Sequence, residues 1–286
     1  MLFFLLSVII IVSRQFQINH MKHFAGKIII LSLFIYLPLQ SMAWGLIGHR
    51  VVGEIAEYYL TSSTKKKIRQ ILGNESLAIS SNWADFIKSD TAYRYLNNWH
   101  FVNFDSAISY QQMQNYLATD TSIDAYTKLT FMLAEMKKKN LPQAQKVMYL
   151  RLIVHIVGDL HQPLHAAANG TRGGNQVRVL WFNEPSNLHR VWDEHLVEYQ
   201  QLSYTELTRS INFISIEERK RLQSQPISEW LYESYSISNK LLEEIKQPNQ
   251  KLSFEYNFKH HQTMNEQLLK GGVRLAGILN ELFKSI

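Results

Sequence analysis

The sequence predicts an all-α fold, a single compact multi-helix domain carrying one small β-hairpin. Three observations lead there. Apolar residues recur at helical spacing through most of the chain beyond residue 44. Only one stretch, 177–182, alternates weakly in the manner of a strand. No internal repeat, low-complexity segment or linker divides the 286 residues, a length that permits one or two domains.

Residues 1–43 read as a targeting region. Met21, Lys22 and Lys27 give a basic start, 28–39 is an almost unbroken apolar run, and Ser41-Met42-Ala43 supplies small residues where a signal peptidase reads. The run is shorter than the roughly 20 residues that span a bilayer, which favours a signal peptide over an anchor. A second short apolar run lies at 2–12. It is accounted for by an upstream Met with Met21 as the real start, the alternative being an uncleaved anchor. Residues 44–286 are then the mature domain, exported to the periplasm or the medium, without a membrane span.

Within that domain, 46–60 has apolar residues at helical spacing, and 64–72 is a short basic helix ended by Gly73-Asn74. Helices are expected at 82–89 and at 122–139, the latter closing in Lys137-Lys138-Lys139, cations suited to a helix C-terminus. Pro142 opens the next helix, which runs to about Gln162 and stops at Pro163. Gly173-Gly174 breaks the chain before 177–182, one arm of the hairpin. Segments 187–200, 228–246 and 254–283 complete the helices.

Charge and composition remove several classes of function. The full chain carries a net charge of +6, but Arg14, Lys22 and Lys27 belong to the targeting region. The remainder has 27 basic against 24 acidic side chains, a net of +3. That is no electrostatic argument for nucleic acid. The absence of cysteine excludes a disulfide framework and thiolate zinc sites, so any zinc must use His, Asp, Glu or backbone groups.

The chemistry concentrates in HIVGDLHQPLH, residues 155–165. His155 and Asp159 are four apart, about 40° apart on one helix face, so their side chains can meet one cation. His161 lies about 240° round from His155 and should not join them. His165, beyond Pro163, can point back from the turn. A polar core helix satisfied by hydrogen bonds is the competing reading, weakened because an ionised Asp in an apolar segment is costly unless paired or metal-bound. NLHRVWDEHL repeats the pattern with His189 and Asp193, while His195 falls off that face. Upstream, Asp85 sits in WADFIK and His100 in NNWHFVNFD; singly, Asp85 reads as a cap and His100 as a core histidine. In AWGLIGHR, Trp44 follows the cleavage site and His49 comes five residues later. A free Trp44 would offer an amine and a carbonyl that chelate together.

In that order the motifs are WGxxGH, WAD, WHF, HxxGDxHQPLH, GGN and NLHxxWD. The chain resembles the secreted zinc-dependent single-strand nucleases and 3′-nucleotidases of the S1/P1 type, from Trp44 to about His195 and on towards the C-terminus. Bacterial zinc-dependent phospholipase C is similar to that family in fold and metal architecture. The resemblance implies a trinuclear zinc cleft with three ions per chain. The first zinc would take Asp85, His100, His155 and Asp159. The second would take His165, His189 and Asp193. The third would take the Trp44 amine and carbonyl, His49 and a shared oxygen of Asp159. His161, His195, His260 and His261 are left as non-ligands.

The same resemblance implies in-line hydrolysis of single-stranded DNA or RNA, leaving 5′-phosphates, with 3′-nucleotidase activity. Asp85 would orient the attacking hydroxide. Lys88, where the family commonly has Arg, would stabilise charge on phosphorus, or else is an ordinary solvated lysine. Phe101 would form one wall of a base-stacking pocket, its alternative being a core aromatic. Asn103 stands where fungal members have a carboxylate. Asn175 in GGN would support the cleft, or the glycines form a plain tight turn. The alternatives on the same cluster are a phospholipase C or a phosphomonoesterase. No stable protein partner is evident, and a monomer is expected.

Overall fold

A computed structural model describes residues 44–104, 108–168 and 170–284, so the expected targeting region, 1–43, lies outside the described residues. Helix α1 (Leu46–Tyr59) is followed by α2 (Ser62–Leu72), whose first turn is capped by Thr61 accepting from the Thr64 amide. Gly73 ends α2 at φ +68°, as Gly73-Asn74 implied. Two single-turn helices follow, α3 (Leu77–Ser80) and α4 (Trp83–Phe86), and then 3₁₀ turns at Ile87–Ser89 and Thr91–His100. The continuous helix expected at 82–89 is broken. Ser80, Ser81 and Ser89 each donate a hydroxyl to the carbonyl three residues back, which competes with helix propagation.

Strand β1 (Val102–Phe104) comes next, then α5 (Tyr110–Thr119) and α6 (Ala125–Glu135), both opened by capping boxes, at Ser109 with Gln112 and at Asp124 with Thr127. The Asp124 box starts α6 later than the expected residue 122, and the helix stops before Lys137, so that lysine run closes nothing. Helix α7 (Gln143–Asp159) begins after Pro142 as expected and ends at Asp159, short of Gln162; Pro163 opens a 3₁₀ turn, Pro163–His165. Strand β2 (Ala166–Ala168) pairs parallel with β1, Val102 opposite Ala166.

Strands β3 (Arg178–Trp181) and β4 (Glu184–Asn187) form the expected hairpin. Its two-residue turn, Phe182-Asn183, has φ of 49° and 74°, the arrangement that matches the twist of paired strands. Helix α8 (Leu188–Arg190) passes through a π-helical segment, Val191–His195, into α9 (Leu196–Glu198). Then come α10 (Tyr204–Ile211), α11 (Ile216–Ser224), α12 (Ile227–Glu244), strand β5 (Gln250–Leu252) alongside β3, and α13 (Phe254–Lys284).

Helix α7 is central. From Tyr149 to Asp159 every residue but Arg151 is buried, so the helix is enclosed on all faces and its polar residues are delivered into the core. Helix α13 closes on α1 at Gly272, where a Cβ would come within 2.4 Å of the Ile55 Cβ; only a glycine lets the two backbones approach that far. Among the described residues no helix is long and apolar enough to cross a membrane.

Candidate metal centre

Asp159 is the hub. It is fully buried, and its two oxygens face four imidazoles. Oδ2 lies 3.0 Å from His100 Nδ1 and 3.2 Å from His155 Nε2. Oδ1 lies 3.3 Å from His49 Nε2 and 3.8 Å from His165 Nδ1. The shared face of α7 at 155 and 159 is the i,i+4 arrangement the spacing implied. His49, from α1, stacks on His155 with centroids 4.0 Å apart. That approach requires Gly158, because a Cβ there would sit 2.8 Å from His49 Nδ1. His100 enters from the end of the 3₁₀ segment, its Nδ1 2.9 Å from His155 Nε2. Asp85, on α4, holds Lys88 Nζ at 2.6 Å through Oδ1 and lies 3.8 Å from His155 Nε2.

A second group lies beside the first. His189 Nε2 is 3.1 Å from Asp193 Oδ2, and His165 Nε2 is 3.7 Å from Asp193 Oδ1. The two imidazoles stack with centroids 4.9 Å apart. Asp193 sits in the π-helical segment, a widened turn that recurs at functional sites. The segment before α1 also runs here: Trp44 is fully buried, and the Gly45 amide donates to the Asp193 carbonyl at 2.6 Å.

Three imidazoles are aimed by the backbone. His155 donates Nδ1–H to the Ser81 carbonyl, His165 to that of His100 and His189 to that of Gly173, each at 2.6 Å. Such a bond fixes the tautomer and turns Nε2 towards a metal. Gly173 has φ +61°, and a Cβ on it would meet the Leu164 carbonyl at 2.4 Å. The first glycine of GGN therefore does more than make a turn; it brings a carbonyl to His189. Gln162, also buried, donates to Asp193 Oδ1 at 2.5 Å and accepts from the Leu164 amide at 2.5 Å. Sequence spacing gave no sign of these roles for Gly158, Gln162 and Gly173, because each acts through a neighbour that only the fold supplies.

Three sets of side chains each hold their ligand atoms within 4.8 Å of one another: His49, His155 and Asp159; Asp85, His100 and His155; His165, His189 and Asp193. The triangle of His100 Nδ1, His155 Nε2 and Asp159 Oδ2 has edges of 2.9, 3.0 and 3.2 Å. Ligands at zinc's usual distance in a tetrahedron are about 3.3 Å apart, so these donors fit such an ion with shifts of tenths of an ångström. Asp85 Oδ2, Asp159 Oδ1, His49 Nε2 and His165 Nε2 are buried with no hydrogen-bond partner among the described residues. Leaving four such atoms unsatisfied is costly unless a cation takes them.

Electrostatics agree with that use. Burial alone would raise the carboxyl pKa values. The charges of His155 and Lys88 instead hold Asp85 below its ordinary range, and those of His155 and His165 hold Asp159 well below it. Burial lowers His165, but Asp159 and Asp193 outweigh it and push it up to about 9. Protons and metal compete for the same atoms, so metal affinity falls as pH falls.

The remaining site expectations divide. Lys88 lies on Asp85 rather than in solvent, its side chain 15% exposed. Phe101 is half-buried and lies off the main core, in extended backbone just after His100. Asn103 is exposed at the middle of β1. Asn175 donates its side-chain amide to the Arg172 carbonyl at 3.0 Å, within its own turn. None of the four histidines set aside as non-ligands enters the three metal-capable sets. His161 donates Nδ1–H to the Val157 carbonyl and accepts from Arg274 at Nε2; burial and that guanidinium lower its pKa to about 3. His195 stacks on Trp181, and His260 pairs with Glu244.

Two substitutions separate aiming from packing. Gln162→Leu should weaken metal binding by about ten- to a hundredfold, since it frees Asp193 to turn. His161→Ala should keep its full metal content but melt lower, because buried Arg274 loses an acceptor. Metal analysis with calorimetry reads both, and a metal-poor His161→Ala or an unaffected Gln162→Leu would contradict these roles.

The profile of the S1/P1 nucleases matches residues 44–284. Endonuclease 3 of Arabidopsis thaliana is 28% identical over 272 residues, covering 86% of this chain and 90% of its own. Nuclease S1 of Aspergillus oryzae is 31% identical over 169 residues, covering 57% of each chain. Nuclease P1 of Penicillium citrinum is 28% identical over 162 residues, covering 54% of this chain and 58% of its own. With Asp159 facing four imidazoles, a second His/Asp group beside it, and a match to that profile from Trp44 onward, the chain belongs to the S1/P1 nuclease family.

Proposed function

We propose that residues 44–286 form an exported, zinc-dependent nuclease that hydrolyses single-stranded DNA and RNA to 5′-phosphate products and also releases phosphate from 3′-nucleotides. The observation that carries this reading is the buried convergence of Asp159 with His49, His100, His155 and His165. Structural zinc sites are closed cages of four ligands. This arrangement shares one carboxylate among several imidazoles and holds a further buried oxygen, Asp85 Oδ2, unsatisfied. The names of the matched relatives, all nucleases or endonucleases, support phosphodiesters as substrates. We assign three zinc ions to the three metal-capable sets, the Trp44 amine and carbonyl completing that of His49.

Zinc, when bound, supplies a nucleophile competent near neutral pH and Lewis-acid stabilisation of phosphoryl charge. The chain's own groups do the rest. Asp85 Oδ2 would accept a hydrogen bond from the attacking water and so orient it. Lys88, 2.6 Å from Asp85 Oδ1, keeps that carboxylate ionised and adds positive charge where phosphorus gains negative charge. As an ammonium it does so without the planar fork of arginine. Phe101 stacks on an unpaired base, and Asn103, able to donate and accept, meets the base edge. Stacking of this kind tolerates any base but needs a splayed strand, which excludes duplex.

The test offers zinc-loaded protein single-stranded and duplex DNA, RNA, 3′-AMP and phosphatidylcholine. Single strands should be cut faster than duplex, with 5′-phosphate ends. Products ending in 3′-phosphate would overturn the leaving group, equal rates on duplex would remove the stacking pocket, and turnover of the phospholipid alone would replace the reading with a phospholipase.

A further inference from the structure

The 3₁₀ segment Thr91–His100 carries a run of aromatic rings that sequence spacing did not single out. Trp83 meets Tyr93 edge-on at 5.7 Å, Tyr93 stacks with Tyr95 at 6.3 Å, and Tyr95 meets Trp99 at 5.6 Å. Lys128, on α6, lies over Trp99 at 5.2 Å and over Phe131 at 5.7 Å, which extends the run across a second element. Trp83 stands two residues before Asp85 and Trp99 directly before His100, so the segments that carry the rings also carry two members of the metal centre.

Packing alone does not account for it. Trp99 is buried and anchors the segment, but Tyr95 is 53% exposed and Phe131 45% exposed. Arg94, between the two tyrosines, is exposed as well. At the other end Arg151 lies over Trp83 at 5.6 Å. An aromatic strip by itself would suit a sugar or an apolar ligand equally. Cations set among the rings select an anionic polymer, and the junction with a phosphodiester-cleaving centre selects nucleic acid. Rings can take only unpaired bases, while Lys128 and Arg94 meet the phosphates between them, Arg151 being paired with Glu75.

We propose that this strip is a binding track for single-stranded nucleic acid. It holds nucleotides beyond the one at the metal centre, so that long strands bind more tightly than short ones. The proposal rests on the nuclease reading for the identity of its ligand. Because Tyr95 and Phe131 are exposed, replacing them leaves the core intact.

The experiment compares the zinc-loaded mature protein with Tyr95→Ala, Phe131→Ala and the double variant. Kinetics are read on 3′-AMP and on an oligothymidylate of about thirty nucleotides, and affinity by anisotropy on a labelled phosphorothioate oligothymidylate. Each loss should raise KM and Kd for the long strand by about fivefold or more. Values of kcat and KM for 3′-AMP, which reaches only the metal centre, should not move. Unchanged KM and Kd for the long strand in the double variant would overturn the track while leaving the nuclease reading intact. If the wild type hydrolyses no substrate yet the variants lose affinity for the oligonucleotide, the nuclease reading fails and the track stands. Loss of affinity for heparin with none for the oligonucleotide would assign the strip to a polysaccharide and overturn the proposal.

Discussion

Asp159→Asn is expected to leave about one zinc ion per chain and to cut turnover on single-stranded DNA by about a thousandfold or more. No other side chain in the centre faces so many imidazoles. Its Oδ2 lies 3.0 and 3.2 Å from His100 and His155, and its Oδ1 lies 3.3 Å from His49. Asparagine keeps the shape but removes the charge, and its amide presents hydrogens to nitrogens that need a carboxylate or a metal. The set of His49, His155 and Asp159 loses its carboxylate, and the set of Asp85, His100 and His155, which shares His155 and lies against Oδ2, should empty with it. The set of His165, His189 and Asp193 has its own carboxylate and its own anchors on Gly173 and Gln162, and should keep its ion. The variant should also melt lower, since metal binding and folding are coupled and the histidines would face one another unneutralised. Metal analysis and turnover on the same preparation read the outcome. Three zinc ions and undiminished turnover in Asp159→Asn would remove Asp159 from the centre.

The core of this centre was legible because two pairs, His155 with Asp159 and His189 with Asp193, obey helical spacing, and the i,i+4 rule needs nothing beyond local geometry. It held even where the helix was not regular: Asp193 lies in a π-helical segment and still reaches 3.1 Å from His189. The hairpin at 178–187 was legible from a weak alternation alone. Other features depend on partners far away in sequence. The pairing of β1 with β2 joins Val102 to Ala166, and two three-residue strands leave no periodic trace of their own. Segment Thr91–His100 reads TAYRYLNNWH, whose 3₁₀ winding follows no 3.6-residue pattern. Helix α11 is short and polar, and its start depends on the cap Ser215 more than on any apolar face. Gly158 and Gly173 look like ordinary helix and turn glycines until His49 and Leu164 stand against them.

The last expected result links processing to catalysis. We propose that Trp44, freed by cleavage after Ala43, supplies its α-amine and carbonyl to the zinc held by His49 and Asp159. Three observations support it: Trp44 is fully buried, Gly45 donates to the Asp193 carbonyl, and α1 carries His49 into the stack with His155. Gly48 makes room for this, since a Cβ there would lie 3.2 Å from the Trp44 ring. In an uncleaved chain the Trp44 nitrogen is an amide without a basic lone pair, whereas a free α-amine has a pKa near 8 and yields its proton readily to a metal. A form beginning Met-Trp44, with the Met retained, should fold, hold about two zinc ions and show little activity, because the site loses a ligand while the helical core stays intact. An N-acetylated form beginning at Trp44 should behave the same way. It removes the lone pair without adding a residue, and so separates the chemistry of the amine from crowding. Mass spectrometry fixes each N-terminus; zinc content and turnover are then read beside the free-Trp44 form. Equal zinc and equal turnover in all three would show that the N-terminus is no ligand. Loss in the Met-Trp44 form alone would show that the site rejects an added residue without needing the amine. Loss in both blocked forms would mean that full activity requires a free amine at Trp44, and so removal of the residues that precede it.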